Sequence, residues 1–257
     1  VGEEILRVED WTVHHPDDAS RVVVDHANIY VRRGEIVGLA GIMGAGRTEF
    51  ARSLFGHSWG TNISGKVWVN GQETSVKTIS QAMNAGIAYA TEDRKRFGLN
   101  LIDDIKRNIS IASLSKFVKR GLVDDNQEFK VASEYRQSMN IKAPSVLSIV
   151  GKLSGGNQQK VVLSQWINIK PEVLILDEPT RGIDVGAKYE IYTIIQRLVD
   201  EGRGVIVISS ELPELIGICD RIYAIAEGRI TGEVQRKDFS PELLMTYMTK
   251  EKEKTNV

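Results

Sequence analysis

"EIVGLAGIMGAGRTEF", residues 35–50, joins an apolar run to a glycine-rich turn and then to a helical pattern. Gly41, Gly44 and Gly46 let successive backbone N–H groups turn inward on one point, and the helix start beyond them adds partial positive charge. Residues Gly41, Ile42, Met43, Gly44, Ala45, Gly46, Arg47, Thr48 and Glu49 therefore form a candidate phosphate cradle. The familiar pattern G-x-x-x-x-G-K-[ST] has lysine where this chain has Arg47, while Thr48 keeps a hydroxyl suited to Mg²⁺. A plain strand-to-helix turn can look the same in isolation, so the rest of the chain has to decide.

Moving outward, "GIAYAT" (86–91), "VLILD" (173–177) and "GVIVIS" (204–209) repeat the short apolar run of "EIVGLAG". Continuous runs of this kind separated by helical patterns are what a parallel sheet covered on both faces produces. The spacing predicts helices over 47–55, 156–169 and 186–200. In the last of these Tyr189, Ile191, Tyr192, Ile194, Ile195, Leu198 and Val199 form an apolar stripe assigned to the core. "SGKVWVNGQE" (64–73) alternates apolar and polar residues into an Asn-Gly turn, which predicts an antiparallel hairpin. Residues 104–149 lack a buried-strand run and read as a helical insertion.

The chain has 257 residues, 42% hydrophobic and 26% charged, which fits a globular domain with a sizeable core. Thirty-three Lys and Arg face 34 Asp and Glu, so the net charge of -1 offers no broad positive field for a nucleic acid. Cys219 is the one cysteine, which excludes an internal disulfide. No apolar run approaches the ~20 residues that span a bilayer, and "VGEEILRVED" lacks a signal-peptide layout. Any membrane role is expected to come through a partner. The tail "KEKEKTNV" reads as solvated.

Two further segments carry chemistry. "VLILDEPT" ends a buried run in Asp177 and Glu178, at the sheet edge where such folds bind ligands; Asp177 suits a Mg²⁺ shell and Glu178 can polarise a water. In "LSGGNQQK" (153–160), Ser154, Gly155 and Gly156 open a second helix, so backbone amides and a hydroxyl again converge on an anion site. Solvated acids and an ordinary helix cap are the bland alternatives; finding both segments beside the glycine loop disfavours them.

Together these motifs resemble the nucleotide-binding domain of an ABC transporter over nearly the whole chain. "GIMGAGRT" stands as Walker A, "LSGGNQQK" as the signature, "VLILDEP" as Walker B and "RGID", with Asp184, as the D-loop. The resemblance implies an α/β P-loop NTPase of ABC type. Its mainly parallel core sheet (about 1–100 and 150–257) would carry an antiparallel β subdomain and an inserted helical subdomain (about 100–165). It also implies that ATP is sandwiched head-to-tail between two such domains, with Ser154, Gly155, Gly156, Asn157 and Gln158 serving the partner's nucleotide.

Three positions depart from the family. Glu92 stands where a glutamine reports on Mg²⁺ and the permease, Ser210 where a histidine contacts the γ-phosphate, and Arg47 where the lysine belongs. Guanidinium keeps the charge but not the compact shape of an ammonium, so weak or absent hydrolysis is expected at this Walker A site. An aromatic residue usually stacks on adenine near the end of the first strand; His14 and His15 are the nearest candidates, and His15 is the expected one. "GIMGAGRTE" with "TEDRKRFGL" and "DEPTRGIDVGAK" is similar to the C-terminal half of the fused ATPase subunits of bacterial monosaccharide importers. That likeness implies an N-terminal ABC domain in the same polypeptide, a transmembrane sugar permease, a periplasmic or extracellular sugar-binding protein, and a peripheral place on the cytoplasmic face. The alternatives are a soluble non-transport ABC ATPase and a regulatory nucleotide-binding module. The charge run "EDRKR" receives no ligand.

Overall fold

The structure is a computed structural model that describes residues 1–119 and 121–250; residues 251–257 of the charged tail lie outside the described residues. In chain order the strands and helices are β1 (Glu4–His15), β2 (Asp18–Arg32), β3 (Ile36–Ala40), α1 (Arg47–Leu54), β4 (Thr61–Val69), β5 (Gln72–Glu73), α2 (Ile79–Asn84) and β6 (Ile87–Ala90). Then follow α3 (Ile105–Ser110), β7 (Val118–Lys119), β8 (Leu122–Val123), α4 (Asp125–Ser138) and α5 (Gly155–Ile167). The chain closes with β9 (Val173–Asp177), α6 (Val185–Asp200), β10 (Gly204–Ile208), α7 (Leu212–Ile218), β11 (Arg221–Ala226), β12 (Arg229–Gln235) and α8 (Pro241–Met248). Two compact units emerge: residues 1–89, 172–178 and 197 onward, and residues 90–171 with 179–196.

The first unit is organised by a six-stranded sheet in the order β12-β11-β3-β10-β9-β6. β3 pairs in parallel with β10 and β11, and β10 with β9, while β12 is an antiparallel edge. Every residue of β3, β9, β10 and β11 is buried, in keeping with their predominantly apolar character. Each fully buried Val, Leu or Ile among them contributes roughly 1.5–3 kcal/mol. Two strongly polar side chains interrupt them: Asp177 ends β9, and Arg221, 1% exposed, meets Glu35 through Nε and Nη2 at 2.9 and 3.0 Å. Arg221 also donates to the Tyr223 hydroxyl at 2.6 Å and lies 3.9 Å from the centre of the Tyr30 ring.

A second, antiparallel sheet in this unit has the order β2-β1-β4-β5. The predicted hairpin is there, with Asn70 and Gly71 both at positive φ in the turn. The long β1–β2 pair has no clean period-two signature, because register shifts between Val8 and Trp11 and again up to His15 break the alternation. Asp10 and His26, both at positive φ, mark the distortion.

In the second unit α3 packs against α4 and α5. Residues 104–149 are less helical than the sequence suggests. A small exposed hairpin, β7–β8, interrupts them, and α4 stops where Asn140 takes φ 50°, leaving 141–149 without a long helix. Tyr189 is a correction to the predicted core stripe of α6. It is 73% exposed, whereas Ile191, Ile194, Ile195, Leu198 and Val199 are buried, so the stripe begins one half-turn later.

Candidate functional site

β3, β10 and β9 run parallel and adjacent, with Ile208 in register with both Leu39 and Asp177. Three chain segments therefore leave the sheet at one carboxyl edge: the glycine loop after β3, Glu178 after β9, and Ser209–Ser210 after β10. This edge is where parallel sheets bind ligands.

The loop is shaped by backbone that only glycine tolerates. Gly44 and Gly46 have φ of 81° and 102°, and a Cβ at Gly46 would lie 2.8 Å from the carbonyl oxygen of Val23. The Ala45 carbonyl accepts from the Gly228 N–H at 2.9 Å, anchoring the inner side. On the outer side Ile42, Met43 and Gly44 are exposed, and a Cβ at Gly44 would meet nothing within 4 Å. Open space beside a glycine turn at a helix start fits a polyphosphate. Thr48 and Glu49 are half-buried in the first turn of α1.

Arg47 is 9% exposed, and its guanidinium is directed at the ends of the neighbouring strands. Nη1 donates to the Ser209 carbonyl at 2.7 Å and stands 3.7 Å from Glu178 Oε1. The other Glu178 oxygen accepts from the Ser210 hydroxyl at 3.1 Å. Glu178 has φ 48°, with its N–H donating to the Ile208 carbonyl at 2.8 Å. Two of the three departures from the family pattern, Arg47 and Ser210, thus meet on one carboxylate. Asp177 is 1% exposed and accepts from the buried Tyr89 hydroxyl at 3.0 Å.

His15 closes β1 with its ring edge-on to Trp59, centres 5.6 Å apart, and its Nδ1 accepts from the Asp17 N–H at 3.2 Å. Trp59 and the Ser209 carbonyl were not singled out from the sequence. Neither has a local motif, and each is found only once the fold brings distant segments together.

In the second unit Ser154 caps α5, its hydroxyl accepting from Asn157 Nδ2 at 2.9 Å, and Gly155 and Gly156 form the first turn. Asn157 Oδ1 also accepts from the Lys142 N–H at 2.9 Å, and Gln158 is 5% exposed with Nε2 directed at the carbonyls of Val150 and Leu153. The side chains of Asn157 and Gln158 therefore shape the turn, in which Ser154 is exposed, Gly155 half-buried and Gly156 buried. Asp184 accepts from the Ala187 N–H at 2.9 Å and so caps α6. Glu92 accepts from the Thr91 hydroxyl at 2.9 Å.

Among the described residues no group of three or more His, Cys, Asp or Glu side chains is arranged for a metal ion. Mg²⁺ held by one hydroxyl, one carboxylate and nucleotide phosphates needs no such group. Thr48 and Asp177 are of the right type, and both belong to the first unit.

A parallel sheet with a glycine cradle and a buried carboxylate at its carboxyl edge defines a nucleotide-binding α/β domain of the P-loop class. More narrowly, the chain belongs to the ABC transporter family, whose pattern matches residues 24–181. It is 58% identical over 250 residues to the L-arabinose transport ATP-binding protein AraG of Geobacillus stearothermophilus, covering 97% of this chain and 49% of that protein. It is 47% identical to the xylose import ATP-binding protein XylG of Geobacillus kaustophilus (97% and 49% covered). With the ribose import ATP-binding protein RbsA of Bacillus subtilis the identity is 46% (97% and 49% covered). The chain spans about half the length of the curated relatives it matches. Among solved structures, a nucleotide-free ATP-binding cassette from an ABC transporter superposes with a TM-score of 0.80 at 17% identity, covering 96% of this chain and all of that one. A post-hydrolysis cassette dimer bound to ADP and Pi gives 0.75 at 18% identity, covering 91% and 100%. These last two establish the fold.

Proposed function

We propose that this chain is one ATP-binding domain of a monosaccharide importer, with a degenerate Walker A site of its own and a signature that completes the competent site of a second domain in the same polypeptide. The observation that carries it is the engagement of Arg47 with Ser209 and Glu178, on a chain whose Ser154–Gly156 turn is intact. The residues offered to ATP are the loop 41–49 and, for the adenine, His15, with Trp59 behind it. Thr48 and Asp177 would hold Mg²⁺, which neutralises phosphate charge when bound.

Glu178 is the residue assigned here to polarise a water, and its carboxylate faces a cation and a hydroxyl. A carboxylate whose two oxygens already face Arg47 and the Ser210 hydroxyl is held away from an attacking water. The loop then retains nucleotide while turnover proceeds at the other site. The relatives named for arabinose, xylose and ribose support a pentose-type sugar, delivered by a binding protein to a permease. Those same relatives, named for transport and import, support a peripheral place on the cytoplasmic side through that permease; no described helix is long and apolar enough to cross a membrane.

The test compares ATP binding and turnover by this domain alone and within the full-length polypeptide. Nucleotide binding with little turnover in isolation, and turnover in the full-length protein lost on Ser154→Arg, is the expected result. Robust turnover by the isolated domain overturns the degenerate-site reading.

A further inference from the structure

The run "EDRKR" was left without a role by the sequence, and Arg94 within it occupies an informative position. Residues 94–98 form one short turn capped by Asp93, whose side chain accepts from the Arg96 N–H at 3.1 Å. Arg94 Nη1 donates to the Arg181 carbonyl at 2.9 Å, in the loop that leads to Asp184. Its Nη2 lies over the signature turn: a Cβ on Gly155 would stand 2.8 Å from Nη2 and 3.2 Å from the Gly182 carbonyl oxygen. Nε is buried with no hydrogen-bond partner, and burial holds the guanidinium below its usual pKa. A fold seeking only stability would satisfy or expel that group.

The neighbouring contacts show what Arg94 braces. A Cβ on Gly156 would come 2.6 Å from Ala187 Cβ, so the first turns of α5 and α6 touch through the glycine. One turn further along, Lys160, 2% exposed, forms an ion pair with Glu190 and donates to the Asn140 carbonyl at 2.9 Å. These contacts join the helices and leave the 181–184 loop to be held at its tip. Gly182, at φ 68°, gives that tip its turn, and Arg94 supplies the tie.

We propose that Arg94 is a positioning residue, which fixes Ser154–Gly156 and the 181–184 loop as one rigid phosphate-facing body and links it to the Glu92 segment two residues upstream. The inference rests on the function proposed above. Signature and D-loop then reach the partner domain's nucleotide together, and a shift of residues 92–94 changes both at once. A planar fork is needed because one side chain must face the Arg181 carbonyl and cover Gly155 simultaneously, which an ammonium cannot do.

The test is ATP turnover by the full-length polypeptide. Arg94→Ala is expected to lower kcat by ~10–100-fold, the scale of a misplacement of about 1 Å. KM for ATP should stay within about threefold, since the loop that binds that ATP is in the other domain. Arg94→Lys should not rescue. Gly155→Ala, whose methyl would push the guanidinium off Arg181, should give a similar loss, and the double variant should be no worse than the poorer single one. Hydrogen exchange at 154–158 and 181–187 should rise together in Arg94→Lys, which provides a readout if Arg94→Ala does not fold. Arg94→Ala turnover within twofold of the parent, or fully additive losses in the double variant, overturns the inference. Ser154→Arg separates the two levels. If it abolishes turnover and Arg94→Ala does not, the brace alone falls; if neither matters, the proposed function falls with it.

Discussion

Arg47→Met removes the guanidinium of the glycine loop and keeps most of the aliphatic stem, so it isolates what the charge does where the structure puts it. At the 3.7 Å separation from Glu178, an effective dielectric of about 20 gives roughly 4 kcal/mol of gross attraction. Desolvation offsets much of this, because both side chains are nearly buried, at 10% and 13% exposure. A net coupling of about 1–2 kcal/mol remains, and the charge-assisted bond to the Ser209 carbonyl adds about 1.5–3 kcal/mol that the variant also loses. Arg47→Met should therefore cost about 2.5–5 kcal/mol without nucleotide, a fall in melting temperature of some 5–20 °C at this chain length. The assay is thermal denaturation of the nucleotide-free domain as a cycle of Arg47→Met, Glu178→Gln and both together. A coupling below about 0.5 kcal/mol would show that Arg47 does not hold Glu178, and the explanation given for the degenerate site would collapse.

Two further perturbations probe the scaffold. Arg221→Met leaves Glu35 buried without its cation and should destabilise the domain by about 3–5 kcal/mol in urea titration, whereas replacing both partners with apolar residues should recover most of the loss. His57 is half-buried beside Trp11, and burial lowers its pKa below the ordinary value near 6.5. The unfolded chain thus binds a proton that the folded one resists; stability should fall as pH drops below about 6.5, and His57→Gln should flatten that slope in acid-side thermal melts. An unchanged slope would remove His57 from the acid response.

The parallel core was legible because strands buried on both faces must be mostly apolar, and β3, β10 and β9 up to its terminal Asp177 are. The β1–β2 pair was not, since its bulges at Asp10 and His26 shift the alternation that would have revealed it. Tyr189 follows helical spacing, yet periodicity cannot say where along a helix the covering layer begins. For the site, residue types were readable and directions were not. Arg47 was seen as a phosphate ligand of altered shape. The structure adds a contact with a backbone carbonyl 162 residues away, which no local pattern encodes. The same holds for Arg94, whose partner Arg181 is 87 residues distant.

The single thiol of this chain makes the core sheet its own reporter. Cys219 is fully buried, burial pushes its pKa far up, and a Cβ on Gly38 of β3 would sit 2.9 Å from its sulfur. An alkylating probe reacts with thiolate, so it marks only molecules in which the strand leading into the glycine loop has come away from its neighbours. The labelling rate is consequently a clock for the opening of that strand, and a nucleotide that binds the closed form slows the clock in proportion to its occupancy.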